Sequence, residues 1–245
     1  MSAIEMFPVK GIGEVRPGDD LGELIYSAFK CFCDGDILVV SSKAVSKAEG
    51  NVVSESSLSP TPFAIQLARL TGNSPAYCEL VLRESAGILR MTQGVVVCRT
   101  HHGFVMANAG VDASNAGGEG LLVPLPKKPD ESARGIGKRV CSLSGKKLAV
   151  VISDTFGRPW RVGQMNLAVG VWGISPLRDY AGQPDDDGLM LSRTRIAVAD
   201  QLAAAAELAG GKTDRVPAVV VRGYENAGEG SVKDLLMDAA ADLFP

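Results

Sequence analysis

The sequence lacks the features that would place it in a membrane, outside the cell or on nucleic acid. Although 46% of the 245 residues are hydrophobic, no uninterrupted apolar run approaches the roughly 20 residues that a bilayer span requires. Residues 1–10 have neither a basic head nor an apolar stretch ending at a small-residue cleavage site, so no export signal is visible and the cytoplasm is the expected location. Cysteine is scarce and odd in number: Cys31, Cys33, Cys78, Cys98 and Cys141 are scattered, which argues against a disulfide framework and for reduced thiols. Cys31-Phe32-Cys33 has no second pair and no histidine at zinc-finger spacing. A basic excess is also missing, since the net charge is -3 and the lysines and arginines are dispersed. That excludes the electrostatic footprint of a nucleic-acid binder and leaves small ligands, acidic ones included, open.

What is present is a globular chain long enough for one large domain or two small ones sharing a seam. Asp20-x-x-Glu23 followed by Leu21, Leu24, Ile25, Ala28 and Phe29 predicts a helix over 21–30, stopped by Asp34-Gly35. The apolar run 37–40 predicts a buried strand that delivers Ser41, Ser42, Lys43, Ser46 and Lys47 at its end. Ser59-Pro60 and Ser74-Pro75 predict the starts of two helices, the second reaching Leu89. Residues 95–99 and 104–108 predict strands flanking a tight turn at His101-His102-Gly103, followed by a glycine-rich loop over 109–120. Ala133, Ile136, Val140 and Leu143 recur at helical spacing, and strands are predicted over 148–153, 167–172 and 218–221, with helices over 197–208 and 232–243. Strands and helices do not alternate regularly, so the expected fold is α+β with mixed or antiparallel sheets and flanking helices. Three prolines and two lysines in residues 123–129 mark a boundary, but the candidate site residues lie on both sides of it. The chain is therefore read as a single catalytic unit, with two interleaved subdomains as an option.

The chemistry concentrates where apolar strands end. The run 148–153 leads into Asp154-Thr155-Phe156-Gly157-Arg158-Pro159-Trp160-Arg161, read as a turn that joins a carboxylate, a hydroxyl and two guanidinium groups. Hard oxygen ligands suit Mg²⁺ or Mn²⁺, and arginines suit phosphate or carboxylate. The alternative is a turn in which Asp154 caps backbone amides and Arg158 and Arg161 are solvated. Asn108-Ala109-Gly110-Val111-Asp112-Ala113-Ser114-Asn115 supplies a second carboxylate. Alone it reads as an Asx-type turn, but together with Asp154 it could hold a divalent ion and leave positions for phosphate oxygens. Lys43, Lys47 and Ser42, and the amides of Gly11-Ile12-Gly13-Glu14, are further phosphate candidates. The loop Gly223-Tyr224-Glu225-Asn226-Ala227-Gly228-Glu229-Gly230-Ser231 permits close backbone approach to a ligand, or is a plain loop with a serine cap.

Two decoys are set aside. Residues 206–213 end in Gly210-Gly211-Lys212-Thr213 and nearly match a P-loop, but Ala206 replaces the first glycine and the segment runs from helix to strand, the reverse of the required order. It is read as a helix stop. His101 and His102 lack the helical His-Glu-x-x-His frame of zinc enzymes and are read as turn residues.

Taken in order, these motifs resemble the coenzyme F420-0:L-glutamate ligase (gamma-glutamyl ligase) family over almost the whole chain. The matching segments are Phe7-Pro8-Val9, Arg16-Pro17-Gly18-Asp19-Asp20-Leu21, Gly35-Asp36 with Ser42-Lys43 and Ser46-Lys47-Ala48-Glu49-Gly50, and Asn108 through Asn115. Ser153 through Arg161 with Val162-Gly163-Gln164, Val221-Arg222-Gly223 and Gly228-Glu229-Gly230-Ser231 complete the set. The resemblance implies a GTP-dependent ligase that joins L-glutamate to coenzyme F420-0 through an acyl phosphate, releases GDP and phosphate, and can repeat the step to build a gamma-linked tail. It implies two divalent cations, Mg²⁺ or Mn²⁺, around Asp112, Asp154 and Thr155, with a monovalent cation such as K⁺ as an addition. It implies nucleotide contacts from Ile12, Gly13, Glu14, Val15, Ser42, Lys47, Asn115, Gly228 and Glu229, and a homodimer without nucleic-acid or membrane partners. Asp154 is the catalytic centre of this reading, and Arg158 and Arg161 are assigned to anionic substrate groups on chemical grounds. No C-terminal flavin-binding domain is expected. Met165 in Gly163-Gln164-Met165-Asn166, and Lys127-Lys128-Pro129-Asp130, depart from the family pattern without touching the expected metal ligands. The competing expectations are a ligase for another small acid and a non-catalytic nucleotide- or deazaflavin-binding protein.

Overall fold

The computed structural model of the chain describes residues 3–225 and 228–242. In chain order they form β1 (Glu5–Pro8), α1 (Leu21–Ala28), β2 (Ile37–Ser41), α2 (Ser42–Ala48), β3 (Val53–Ser54), α3 (Pro62–Thr71), α4 (Pro75–Arg83), β4 (Ser85–Thr92), β5 (Val95–Thr100) and β6 (Val105–Ala107). There follow β7 (Leu121–Leu122), α5 (Pro129–Ser144), β8 (Ala149–Arg158), β9 (Arg161–Trp172), β10 (Leu177–Asp179), β11 (Arg195–Ala197), α6 (Val198–Gly210) and β12 (Ala218–Arg222), with short 3-10 turns between. The largest sheet has the order β1-β12-β2-β8-β9, and only its β2–β8 pair is parallel. The fold is α+β with mixed sheets, as the irregular order of elements predicts.

The uninterrupted apolar runs of β2, β8 and β12 arise because both faces of this sheet are covered. Leu38, Val40, Val150, Ile152 and Val220 point into one cluster with Ile25 of α1 and Ala133, Ile136 and Val140 of α5. Ile37, Val39, Val151, Val219 and Val221 point the other way, onto Ala199, Leu202, Ala203 and Ala206 of α6. A third cluster packs Ala64, Leu67 and Ala68 of α3 and Leu80 and Val81 of α4 against Val96 and Cys98 of β5. No helix among the described residues is long and apolar enough to cross a membrane.

Several boundaries differ from the sequence reading. Asp20 caps α1 by accepting the Glu23 N–H at 2.9 Å, but Glu23 turns its own carboxylate to Arg139 at 2.5 Å instead of closing the box. Helix α3 starts at Pro62 instead of Ser59-Pro60, because the Thr61 side chain accepts the Ala64 N–H at 3.3 Å and Glu79 anchors the Thr61 backbone at 2.9 Å. Helix α4 stops at Arg83 and residues up to Leu89 lie in β4, where antiparallel pairing with β5 overrides local helical preference. The helix expected over 232–243 is replaced by two 3-10 turns, Val232–Leu235 and Ala239–Ala241. Leu235 and Leu236 pack on the core, Leu236 is extended, and Asp238 starts a fresh cap on Ala240; Leu243 lies outside the described residues.

The main correction concerns residues 154–158. They are strand, not turn: β8 runs on to Arg158, pairing Asp154 with Leu167, Thr155 with Asn166 and Arg158 with Arg161. The turn falls at Pro159-Trp160, with Trp160 at φ +61°, and β9 begins at Arg161 instead of Leu167. The polar residues misled the reading because β2 ends at Ser41 while β8 continues, so Asp154 faces side chains of α2 instead of a neighbouring strand, and only beyond Phe156 does the hairpin become exposed.

Candidate active site

Strand β2 ends at Ser41, opposite Ser153 of β8, and α2 starts at the next residue while β8 continues. The first turn of α2 therefore stands beside the part of β8 that β2 no longer pairs. There the Ser42 hydroxyl donates to Asp154 Oδ1. Its neighbour Lys43 pairs with Asp112 Oδ2 at 2.7 Å and donates to the Ser114 carbonyl at 2.5 Å and the Ser114 hydroxyl at 3.2 Å. One turn later on the same helical face, Lys47 donates to Glu14 Oε1 and to the Asn115 carbonyl at 3.2 Å while its stem is buried. Ser46, fully buried, fastens α2 by donating to the Pro124 carbonyl at 2.7 Å.

Asp112 arrives by a strained corner. Asn108, Ala109 and Gly110 have φ of 50°, 51° and 73°, a left-handed run that only the glycine adopts without cost. The surroundings impose it: Asn108 Oδ1 accepts the Val96 N–H at 2.9 Å and Ala109 is buried. Beyond the corner, Asp112 makes a bridge with Val123, with bonds of 3.0 and 2.8 Å, and its Oδ1 accepts the Ser114 N–H at 2.7 Å. The Asx turn expected at Asp112 is thus present, and its second carboxylate oxygen is free to meet Lys43.

The two carboxylates differ in charge preference. Burial pushes the Asp154 carboxyl up to about 6; the Ser42 hydrogen bond opposes this, the Asp112 charge adds to it, and Lys43 and Lys212 oppose it. Burial also raises Asp112, but the bonds from Lys43 and Ser114 outweigh it and hold that carboxyl below its usual range. A cation between the two would relieve the Asp154 penalty. The donors are hard oxygens, and among the described residues no three His, Cys, Asp or Glu side chains converge. One or two carboxylates completed by phosphate oxygens and water is how Mg²⁺ is commonly held, so the donor set fits that ion.

Strand alternation separates Asp154 from Thr155. Asp154 shares the face of Ile152 and Phe156, toward α2, whereas Thr155 shares the face of Val151, toward α6. The Thr155 hydroxyl donates to Asn166 Oδ1 at 2.9 Å and accepts from Lys212 Nζ at 2.5 Å. Lys212 also bonds Asn166 Oδ1 at 3.2 Å and pairs with Glu207 at 2.7 Å, and Glu207 in turn accepts the Asn166 N–H at 2.9 Å. Lys212, Glu207 and Asn166 were not singled out from the sequence. The segment 206–213 is a helix stop as read, with Gly211 following α6, but its lysine folds back onto β8 and β9.

The structure brings Glu14, Ser42, Lys47, Asn115, Asp112 and Asp154 into one region, with Thr155 next door across the strand. Val15 is buried, and Ile12 packs partly against the core beside Gly13, whose φ is +76°. Arg158 is occupied with the hairpin, donating to the Val162 carbonyl at 2.6 Å and the Gly163 carbonyl at 3.4 Å, and Arg161 is exposed opposite it. Gly228 lies against Ser175 and Gly230 against Pro176, beyond the end of β9 that faces the start of β8; Glu229 between them is exposed. Asn226 and Ala227 of that loop lie outside the described residues.

Comparison with known proteins adds a second line of evidence. Residues 11–223 match the family model described as F420-0:Gamma-glutamyl ligase. A protein from Methanothermobacter thermautotrophicus is 45% identical over 98% of each chain. Others from Methanopyrus kandleri (42% identical, 92% of this chain and 89% of the relative) and Archaeoglobus fulgidus (39% identical, 98% and 96%) carry the same name. That name is coenzyme F420:L-glutamate ligase.

Proposed function

The chain belongs to the F420-0:gamma-glutamyl ligase family and is a ligase, and from that premise we propose that it joins L-glutamate to coenzyme F420-0, and then to its own product, at the cost of GTP. The observation that carries this reading is the seat made by the first turns of α2: Ser42 on Asp154, Lys43 on Asp112 and Lys47 beside Asn115, all within one helix. Carboxylates interleaved with lysines suit a cation-bound polyphosphate, because each phosphate oxygen meets an ammonium and each carboxylate meets a cation.

In this reading the bond between the β- and γ-phosphoryl groups of GTP breaks as a substrate carboxylate takes the γ-phosphoryl group. The glutamate amine then attacks the acyl carbon, inorganic phosphate leaves, and the amine gives up a proton as the amide forms. Divalent cations, Mg²⁺ or Mn²⁺, held by Asp112 and Asp154 would supply charge neutralisation for the triphosphate. The chain's own groups do the rest. Lys43 and Lys47 exchange Asp112, Glu14 and backbone carbonyls for phosphate oxygens, and Ser42 fixes the rotamer of Asp154. Thr155 contributes to the cation site only where its hydroxyl gives up Lys212 and Asn166 or its carbonyl serves instead. Ile12, Gly13, Glu14 and Val15 form the loop over the nucleotide. Gly228 and Glu229 are assigned to the nucleotide as well, from the loop that lies against Ser175 and Pro176.

The test is reconstitution: purified protein, coenzyme F420-0, L-glutamate, GTP and Mg²⁺ together should release GDP and phosphate and yield a product heavier by one or more glutamyl units by mass spectrometry. Nucleotide hydrolysis that ignores the acceptor and glutamate, or tight GTP binding without turnover, would sink the proposal.

A further inference from the structure

The Ser42, Lys43 and Lys47 seat lies on the α2 face of β8, and the other face carries a second charged cluster around Thr155 and Lys212. Helix α6 ends at Gly210, and Gly211 closes it by donating its N–H to the Glu207 carbonyl at 2.9 Å. Gly211 has φ 64° and ψ -178°, a conformation essentially restricted to glycine, and a Cβ there would run into the Asp214 carboxylate. This bend turns the next residue, Lys212, back onto the sheet.

There the Lys212 ammonium rests on two neutral oxygens, Thr155 Oγ1 at 2.5 Å and Asn166 Oδ1 at 3.2 Å, and on Glu207 at 2.7 Å. The other Glu207 oxygen is held by the Asn166 N–H at 2.9 Å, so Glu207 is fixed from behind and serves as a positioning residue. Lys212 itself remains 56% exposed. An exposed ammonium on a hydroxyl and an amide oxygen exchanges those partners readily for a carboxylate, because the charge-assisted bond is the stronger one. Lys43 and Lys47 meet Asp112 and Glu14 on the α2 side, whereas Lys212 stands on the α6 side.

We propose that Lys212, presented at the Thr155–Asn166 pair of the β8–β9 hairpin, binds a carboxylate of the amino-acid co-substrate and so orients its amine toward the Asp154 side of the strand. This deepens the ligase reading and rests on it.

The experiment uses the full-length protein with Mg²⁺ and the variants Lys212→Met and Lys212→Arg, after circular dichroism has established that both are folded. Lys212→Met is expected to raise the KM for L-glutamate about tenfold or more, the effect of one charge-assisted hydrogen bond, with the KM for GTP unchanged. Lys212→Arg should recover part of that loss. A rise confined to the GTP KM, a fall in kcat at unchanged glutamate KM, or no change in any constant would overturn the assignment. A second measurement separates this from failure of the ligase reading. Labelled L-glutamate is dialysed against each protein with a non-hydrolysable GTP analogue and Mg²⁺. Binding by the parent that Lys212→Met loses supports the subsite even without turnover; equal binding by both, or none by the parent, refutes it.

Discussion

Asp154→Asn should make the protein more stable while destroying its activity. The parent carboxyl is pushed up to about 6 from a usual 3.8, chiefly by burial. Two pH units at about 1.4 kcal/mol each mean that ionising it in the fold costs about 3 kcal/mol. The sign follows from proton binding. Below pH 3.8 the group is protonated whether the chain is folded or not, and no penalty applies. Between 3.8 and 6 the folded protein keeps a proton that the unfolded chain releases, so stability falls as pH rises; above 6 the whole penalty stands. Asparagine never ionises, yet keeps an oxygen to accept the Ser42 hydroxyl. In metal-free buffer at pH 8 the variant should exceed the parent by up to about 3 kcal/mol, or about 6–12 °C in Tm for a chain of this size. The gain should shrink to nothing near pH 4. Scanning calorimetry of both proteins in chelator from pH 4 to 8 measures it, and adding Mg²⁺ should raise the Tm of the parent alone. A variant no more stable than the parent at pH 8, or a gain that ignores pH, would refute the electrostatic account of the site.

Three further outcomes are expected. Ser42→Ala removes a donor that favours the ionised form of Asp154, so the acid limb of the activity–pH profile should move to higher pH, as steady-state rates across pH 5–8 will show. Arg222→Met leaves Asp36, whose side chain is wholly buried, without the guanidinium that meets both its oxygens at 2.8 Å; urea denaturation should report a loss of about 3 kcal/mol or more. Gly137→Ala would drive a methyl into the Trp172 ring, and although alanine favours helix, the lost packing of α5 on the sheet should lower Tm in thermal melts.

The sequence made the parts of the fold legible where one physical rule dominates. Runs such as residues 37–40 and 218–221 are apolar throughout because both faces of their sheet are covered, and Gly145 and Gly211 end helices in conformations that glycine favours. It failed where partners distant in sequence decide. Nothing local to residues 85–89 announces β4, which exists through its pairing with β5. The Asp154 segment reads as a turn because its polar residues belong to a strand that has outrun β2 while it stays paired with β9. Asp112 and Asp154 were singled out together because each follows an apolar run in the sequence, whereas Lys212 was hidden by its role in ending α6. Only the fold-back after Gly211 reveals the contact with Thr155.

The alternation along β8 also bears on how such an enzyme can diverge. Adjacent residues of one strand serve separate neighbourhoods: Asp154 answers to α2, Thr155 to α6. If Lys212 holds the amino acid as proposed, substitutions around α6 and β9 would retune which amino acid is used while the α2 side keeps its inherited geometry. On that reading a lineage could explore new amino-acid substrates by drift on one face of a single strand, with the proposed energy-supplying half of the reaction held constant on the other.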